Sequence, residues 1–193
     1  GVTTMYDYRK MTPERQREVV EYRQQQRRPW HSPPHWEFHN AQQFLLSAAN
    51  YEHAPIIGTT PERLTEFENR LLETCEPYAT LIYAWVILPN HYHILLKTDR
   101  NKALLAEIGK LHGRSSYEWN RQDGQAGRRS WYRCFDRDIT SYRHFWASMN
   151  YVHHNPVHHG YVEKWRDWPW SSATEFLERV GKDKAQQLWL EYP

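Results

Sequence analysis

The sequence is poor in cysteine and contains no long apolar segment. Its two cysteines, Cys75 and Cys134, lie far apart and outside any CxxC pattern. This excludes a disulfide framework and a zinc-finger spacing, and it is typical of a reducing compartment. No apolar run approaches the length of a membrane span, and the N-terminal residues GVTTMYDYRK lack the apolar core of a signal peptide. The sequence therefore predicts a soluble, cytoplasmic protein with no membrane partner.

Aromatic and basic residues are the most informative part of the composition. Hydrophobic residues make up 39% of the chain, but aromatic residues alone make up 15%, with ten Trp and thirteen Tyr. The net charge is only +2, yet Lys and Arg outnumber Asp and Glu between Arg9 and Arg28 and between Arg100 and Arg143. Basic segments that alternate with Trp and Tyr are typical of surfaces that contact phosphates and stack on bases. Solvated helix faces are the alternative interpretation.

Periodicity and capping signals divide the 193 residues into elements of one compact domain with two short extensions. Helices are predicted at 12–28, about 60–76, about 102–121 and 141–155, the last of them stopped by Pro156. Strands are predicted at 42–50, 78–88, 91–98 and 130–137. We expect an N-terminal helical arm (1–35), a catalytic domain (36–160) and a C-terminal tail packed on that domain (161–193).

The order of these elements predicts the fold class. Beyond the first helix it reads β-α-β-β-α-β-α, with a central hairpin. This order indicates an α+β fold with a ferredoxin-like split β-α-β sheet and helices on one face, together with the N-terminal arm and the C-terminal tail. The architecture hosts many activities, so it does not by itself indicate a function.

His91 and His93 are candidate metal ligands. They lie two residues apart on a predicted strand, and alternation places both imidazoles on one sheet face. Two imidazoles can bind one divalent metal, but they are too few to make a complete site. Hydrogen-bonding roles remain open for a histidine pair taken alone.

Tyr151 and Asn155 are four residues apart on the predicted helix 141–155 and therefore share a helix face. If this helix packs over the histidine face of the sheet, the amide oxygen of Asn155 can complete the metal site. Tyr151 would then point at whatever the metal binds. A phenol with a pKa near 10 needs a metal or a base to act as a nucleophile. A buried core aromatic is the alternative role for Tyr151.

Three segments resemble the single-tyrosine transposases that carry a histidine pair. The segment 88–96, LPNHYHILL, resembles their histidine motif, and 150–162, NYVHHNPVHHGYV, followed by WPWSS at 168–172, resembles their nucleophile helix. Residues 131–139 between them resemble the strand W-x-R-x-F-x-x-x-I of the family. The downstream segment is especially similar to the REP-associated tyrosine transposases, which act on repetitive extragenic palindromes.

The resemblance implies a ferredoxin-like DNA endonuclease and strand transferase, cytoplasmic in a bacterium. It implies that Tyr151 attacks a phosphodiester of single-stranded DNA near a hairpin and leaves a 5′-phosphotyrosine and a free 3′-hydroxyl. His91, His93 and Asn155 would bind Mg²⁺ or Mn²⁺, which acts as a Lewis acid on the phosphate. Many mobile relatives have Gln as the third ligand. The phosphotyrosine conserves bond energy, in agreement with the absence of a GxxxxGK[ST] motif.

Several other residues are candidates for binding or catalysis. We predict backbone-phosphate contacts for a set of arginines: Arg114, Arg128, Arg129, Arg133 and Arg137. Tyr117 is a rival nucleophile, although Arg121 stands four residues after it instead of a ligand. The group His153, His154, His158 and His159 favours capping and phosphate contacts over a zinc site, because two adjacent pairs astride Asn155 and Pro156 do not converge.

Three functions remain open at this point. A metal-dependent endonuclease uses all four of His91, His93, Tyr151 and Asn155. A module that binds structured DNA without turnover does not need the whole set, and a metallohydrolase of another phosphodiester uses the histidines alone. The partner is single-stranded or hairpin DNA, and the sequence is compatible with a monomer or a homodimer.

Overall fold

The computed structural model describes residues 5–26 and 42–193. Its helices are α1 (Pro13–Gln26), α2 (Pro61–Cys75), α3 (Asn101–Gln122), α4 (Tyr142–His158), α5 (Ala173–Val180) and α6 (Lys182–Glu191). Its strands are β1 (Gln43–Ala49), β2 (Leu81–Ile87), β3 (His91–Lys97) and β4 (Phe135–Asp138). The predicted boundary between arm and catalytic domain, at residues 35 and 36, lies outside the described residues, as do the last two residues of the predicted helix 12–28.

The four strands form one antiparallel sheet in the order β2-β3-β1-β4. This is the ferredoxin-like split β-α-β arrangement, and the predicted fold class is confirmed. Helices α2 and α3 cover one face of the sheet, where Phe67 packs 5.5 Å from the rings of both Tyr92 and Trp119. Thr60 caps α2, since its side chain accepts from the Arg63 amide at 3.1 Å.

Helix α4 is the additional helix, and it packs on the opposite face of the sheet. It lies over β2 and β3, where Phe145 meets Tyr83 edge to face at 4.9 Å between ring centroids. The side chains of β4 remain exposed. The half of this face nearest β4 is therefore accessible beside the helix.

The strand predicted at 130–137 is shorter than expected, because its pairing with β1 is interrupted. Regular pairing covers only 135–138, and Trp131 forms an isolated bridge with Asn50. From Ser47 to Asn50 the chain advances three residues, whereas from Phe135 back to Trp131 it covers four. The extra residue breaks the ladder in the manner of a β-bulge.

The prediction that Pro156 ends the last helix of the domain was wrong. Helix α4 continues to His158, and the chain leaves the helix at Gly160, whose φ is 73°. Pro156 lies in the last turn, so its missing N–H removes one hydrogen bond and does not prevent the turn from closing. The amide of His159 still donates to the Asn155 carbonyl at 3.0 Å.

Residues from the C-terminal segment cover the outer edge of β2. The Ile87 amide donates to the Trp170 carbonyl at 2.8 Å, and the Ser172 amide donates to the Trp85 carbonyl at 3.0 Å. The Trp168 indole also donates to the Ile87 carbonyl at 2.8 Å. Pairing of this kind removes an exposed sheet edge.

Helix α1 is attached to the domain by a buried ion pair. The Arg23 guanidinium donates to both carboxylate oxygens of Glu68 at 2.9 and 3.1 Å, and the Trp85 indole donates to the same carboxylate at 3.1 Å. The Arg23 and Glu68 side chains are only 8% and 2% exposed. Helix α1 packs on α2.

We expect Arg23→Ala to destabilise the fold by about 3–5 kcal/mol, because it leaves the Glu68 carboxylate buried without its counter-ion. Arg15→Ala is the matched control, since Arg15 pairs with Glu62 at the surface and should contribute about 0–1 kcal/mol. The measurement is the free energy of unfolding in urea. Equal stabilities of the two variants would show that the buried pair does not hold α1 in place.

Candidate active site

His91 and His93 begin β3 immediately after the Pro89–Asn90 turn. Both project from the face on which α4 packs, and their ring centroids are 5.2 Å apart. Tyr92 points to the other face, where it packs against Phe67. The strand alternation thus brings the two imidazoles together.

Each histidine is held through its Nδ1 atom. The Asn90 side chain lies 2.6 Å from His91 Nδ1, and Ser47 Oγ lies 2.6 Å from His93 Nδ1. Ser47 is the register partner of His93 across β1 and β3. Because Nδ1 is engaged in both rings, both Nε2 atoms are directed at α4, as is usual for histidines that bind metals. Neither Ser47 nor Asn90 was predicted from the sequence to contact the histidines.

Helix α4 brings Tyr151 and Asn155 to the two Nε2 atoms. The Tyr151 hydroxyl lies 3.4 Å from His93 Nε2, and Asn155 Oδ1 lies 3.1 Å from His91 Nε2. Asn155 is 1% exposed, whereas Tyr151 is 48% exposed. The amide is therefore enclosed, and the phenol is open to an incoming molecule.

The C-terminal helix fixes α4 from behind. The Asn150 amide nitrogen, next to Tyr151 in sequence, donates to the carbonyls of Leu188 and Tyr192 at 3.0 and 2.7 Å. The His154 ring stacks on Trp189 with 3.7 Å between ring centroids. These contacts restrict the position from which Tyr151 reaches the sheet.

Both histidines are neutral at pH 7. Burial lowers the pKa of His91 to about 4. Burial also lowers the pKa of His93 to about 3, with smaller contributions from His91, His159 and Arg137. Neutral imidazole is the form that binds a metal.

Two lone pairs converge between His91 and Asn155. The Asn90 Nδ2 donates to the His53 carbonyl at 3.0 Å, which turns Asn90 Oδ1 toward His91 Nδ1, so that Nδ1 carries the proton. His91 Nε2 is then unprotonated, and it faces another acceptor, Asn155 Oδ1. The buried Asn155 Nδ2 has no hydrogen-bond partner among the described residues.

This arrangement fits a divalent cation. His91 Nε2 and Asn155 Oδ1 both present lone pairs, and a second imidazole lies beside them. A cation can bind to all of these atoms, whereas two acceptors cannot form a hydrogen bond with each other. Within residues 5–26 and 42–193, no group of three His, Cys, Asp or Glu side chains is placed to bind a metal. A metal here therefore depends on the Asn155 amide oxygen as its third protein ligand.

A cavity of about 450 Å³ opens beside His91, His93 and Tyr151, whereas the buried Asn155 does not line it. His53 and His159 lie on its wall, and the His159 ring is 4.8 Å from that of His91. The sequence analysis did not place either residue at the histidine pair. His53 belongs to a turn far from β3 in sequence, so no local pattern could have indicated its position.

A model of the family described as "Transposase IS200 like" matches residues 43–155, which include all four site residues. The chain belongs to this family. It is 32% identical over 128 residues to a candidate REP-associated tyrosine transposase of Haemophilus influenzae, covering 56% of this chain and 68% of that protein.

A solved structure shares the fold of this family member. It is described as a REP-associated tyrosine transposase bound to a REP hairpin. The TM-score is 0.56 at 19% identity, and the match covers 75% of this chain and 86% of the other. The likeness confirms the architecture.

The five arginines predicted to contact DNA occupy different surfaces. Arg137 on β4 and Arg129 lie toward the histidine face, and Arg114 is exposed on α3. Arg133 lines a groove between α3 and β4. Arg128 is paired with Asp123 at 2.7 Å. Their contacts with DNA stay predictions.

Apart from His159, which lies beside His91, the alternative residues are not placed at the histidine pair. Tyr117 is exposed on α3, which covers the opposite sheet face. His153 is buried against Ser172 at 2.9 Å, and His154 stacks on Trp189. His158 is exposed at the end of α4. The four histidines of this group point in different directions and do not form a shared site.

Within the described part of the chain, no helix has the length and apolar character that crossing a bilayer requires.

Acid is expected to destabilise the fold through its buried histidines. Burial lowers the pKa of His153 to about 3 and that of His112 to about 4, so the native state keeps both rings neutral, whereas the unfolded state protonates them near pH 6.5. The two neutral rings contribute fully to the free energy of unfolding above pH 6.5. This contribution decreases as the pH falls below 6.5 toward the native pKa values of about 4 and about 3. Urea unfolding between pH 8 and pH 4 measures this dependence.

His153→Gln should make that pH dependence shallower, and His158→Gln, at an exposed position of the same helix, should leave it unchanged. A stability that is constant from pH 7 to pH 4 would contradict the account of buried neutral histidines.

Proposed function

We propose that this protein is a metal-dependent endonuclease and strand transferase that cuts single-stranded DNA through a 5′-phosphotyrosine at Tyr151. The observation that supports this most is that His91, His93 and Tyr151 line one open cavity, with the Tyr151 hydroxyl 3.4 Å from His93 Nε2 and Asn155 Oδ1 3.1 Å from His91 Nε2. Membership of a transposase family supports DNA as the substrate.

In the proposed reaction the Tyr151 oxygen attacks the phosphorus of a phosphodiester. The bond to the Tyr151 oxygen forms, the bond to the 3′-oxygen breaks, and that oxygen leaves with a proton as a 3′-hydroxyl. The phosphate stays on Tyr151 as an ester with the 5′-oxygen of the downstream strand. A 3′-hydroxyl can reverse the step without an energy source, because no bond energy is lost to water.

His91, His93 and Asn155 are the residues that would hold Mg²⁺ or Mn²⁺ in this proposal. When bound, the ion would act as a Lewis acid on the phosphate and neutralise the charge that develops there. The Ser47 and Asn90 contacts at the Nδ1 atoms orient both rings for this role.

The proposed target is DNA next to a hairpin of a repetitive extragenic palindrome. The structural neighbour is described as bound to a REP hairpin, and the Haemophilus influenzae relative carries a REP-associated name. The four site residues come from one chain and lie together on one sheet face, which supports a site that is complete in a monomer.

Strand polarity tests the proposal. A hairpin oligonucleotide with a single-stranded flank is labelled at either end, incubated with Mn²⁺ or with EDTA, and run on a denaturing gel. We expect the 3′ label to move to the protein, and the 5′-labelled product to carry a 3′-hydroxyl that a polymerase extends. EDTA should prevent both.

Two results would contradict the proposal. Cleavage with both labels free in solution would indicate attack by water. Tight hairpin binding without cleavage in Mn²⁺ would indicate a module that binds structured DNA without turnover.

A further inference from the structure

A group of three aromatic side chains, one exposed and two half-buried, continues the wall of the active-site cavity beyond the histidines. We call Tyr51, Tyr132 and Phe135 the aromatic shelf. The Tyr51 and Tyr132 rings are 5.0 Å apart, and Tyr132 and Phe135 line the same cavity as His93 and Tyr151. The proposed chemistry does not use any of the three.

The interrupted strand explains how the shelf is built. Phe135 pairs with Ser47, the residue that holds His93, and therefore lies on the histidine face. Trp131 points to the opposite face, where it packs 5.3 Å from Phe67. In a regular strand Tyr132 and Phe135, three residues apart, would point to opposite faces. The extra residue between the two pairings brings both to the cavity.

The shelf carries positive charge. The Arg129 guanidinium lies over the Tyr51 ring at 4.5 Å and near the Tyr132 ring at 5.7 Å. Arg137 extends from the same strand as Phe135 and contributes to the lowered pKa of His93. A stacked guanidinium beside aromatic faces suits a ligand that combines flat rings with phosphates.

Phe135 is 69% exposed, although it is an apolar ring on a short edge strand. Packing among residues 5–26 and 42–193 leaves this ring open, and it borders the cavity. The backbone below the shelf is closely tied. Asn50, which is fully buried, donates through Nδ2 to the Ser130 carbonyl at 3.0 Å, and the Tyr132 amide donates to the Ala49 carbonyl at 2.9 Å.

The turn that carries Tyr51 also has unusual backbone geometry. Glu52 and His53 have φ values of 53° and 54°, in the left-handed region that costs energy for non-glycine residues. The Glu52 amide donates to the Tyr132 hydroxyl at 3.3 Å, and His53 lies on the cavity wall. The strained turn therefore joins Tyr132 to the histidine side of the cavity.

We infer that the aromatic shelf binds unpaired bases of single-stranded DNA next to the phosphodiester that Tyr151 attacks. The bases stack on Phe135 and Tyr132, while Arg129 and Arg137 face the neighbouring phosphates. Stacking of this kind holds a strand without reading its sequence. The inference rests on the proposed function, because the position of the scissile phosphate comes from that proposal.

Phe135→Ala tests the shelf, with Tyr117→Ala as the matched control. Tyr117 has similar exposure, 68%, but lies on α3 across the sheet. Both changes are made in a Tyr151→Phe protein, so that binding is measured without turnover. The probe is a hairpin oligonucleotide with a single-stranded flank that carries 2-aminopurine beside the cleavage position. Anisotropy gives the dissociation constant, and 2-aminopurine fluorescence reports stacking.

We expect Phe135→Ala to weaken binding by about 5- to 100-fold, the range for the loss of one stacked base, and to relieve 2-aminopurine quenching. Tyr117→Ala should change binding less than about twofold, and Phe135→Trp should restore it. The salt dependence of binding should be the same in parent and Phe135→Ala, because stacking releases no counter-ions. A probe with an abasic site in place of the stacked base should bind parent and Phe135→Ala equally.

Unchanged binding and quenching in Phe135→Ala would overturn the inference, and so would an equal loss of affinity for the abasic probe. The strand-polarity assay on the protein with Tyr151 intact separates the two proposals. If the protein cleaves DNA and Phe135→Ala does not change binding, the assignment of the nucleophile stands and the inference about the shelf is wrong. If Phe135 contributes to binding only when the base is present, but no DNA is cleaved, the inference about the shelf stands and the proposed reaction is wrong.

Discussion

Tyr151→Phe is expected to abolish the covalent protein–DNA adduct and to lower the rate of cleavage by about three orders of magnitude or more. The change removes one oxygen atom, the proposed nucleophile, and leaves the ring that packs 5.0 Å from His93. Removal of a nucleophile typically has an effect of this size or larger. The measurement is single-turnover cleavage of a labelled hairpin oligonucleotide in Mn²⁺.

Tyr117→Phe is the control for this experiment, because it removes an exposed phenol from the opposite side of the sheet. Its cleavage rate should equal that of the parent. If the adduct forms in Tyr151→Phe and is absent in Tyr117→Phe, the nucleophile is Tyr117 on α3. Hairpin binding should be the same in all three proteins, because neither change alters the charge of the surface.

His91→Ala should lower cleavage at least about 100-fold while leaving hairpin affinity within about twofold. The change removes one of three proposed metal ligands and leaves the Asn155 oxygen facing an empty position. Loss of partners that only orient metal ligands costs about 10- to 100-fold in metal affinity or activity, so loss of a ligand should cost no less. Titration with Mn²⁺, followed by its EPR signal, measures metal binding directly.

His158→Ala is the matched control, since His158 lies near the end of α4 but is exposed and away from the pair. Its metal affinity and cleavage should equal those of the parent. If His91→Ala bound Mn²⁺ as tightly as the parent, the metal would be held elsewhere. If it cleaved at the parent rate, His91 would have no part in the reaction.

The local signals in the sequence were sufficient for the main elements. The Thr60 and Ser141 caps, the alternation around Tyr92 and the four-residue spacing of Tyr151 and Asn155 depend only on neighbours in the chain. Caps and faces of this kind are set by short-range geometry, so they can be predicted from sequence.

Features that depend on long-range pairing could not be predicted in the same way. Ser47 reaches His93 because of the register between β1 and β3, which joins residues 46 apart. The extra residue that turns both Tyr132 and Phe135 to the cavity is also visible only once the strands are paired. The ion pair of Arg23 with Glu68 depends on where α1 packs on α2.

The C-terminal end of helix α4 differs from the local expectation. Pro156 is a helix breaker in isolation, but the carbonyls of the final turn find donors in His159, Gly160 and Tyr161. The final turn therefore forms despite the proline, and Asn155 remains inside a regular helix. Its position opposite His91 depends on that turn.

The most direct test of the central claim is to identify the residue that carries the DNA. The protein is incubated with a hairpin oligonucleotide and Mn²⁺, digested with nuclease and protease, and analysed by tandem mass spectrometry. The account predicts a nucleotide phosphate on the peptide that contains Tyr151, joined through the phenolic oxygen. A nucleotide on another residue, or complete cleavage with every peptide unmodified, would contradict it.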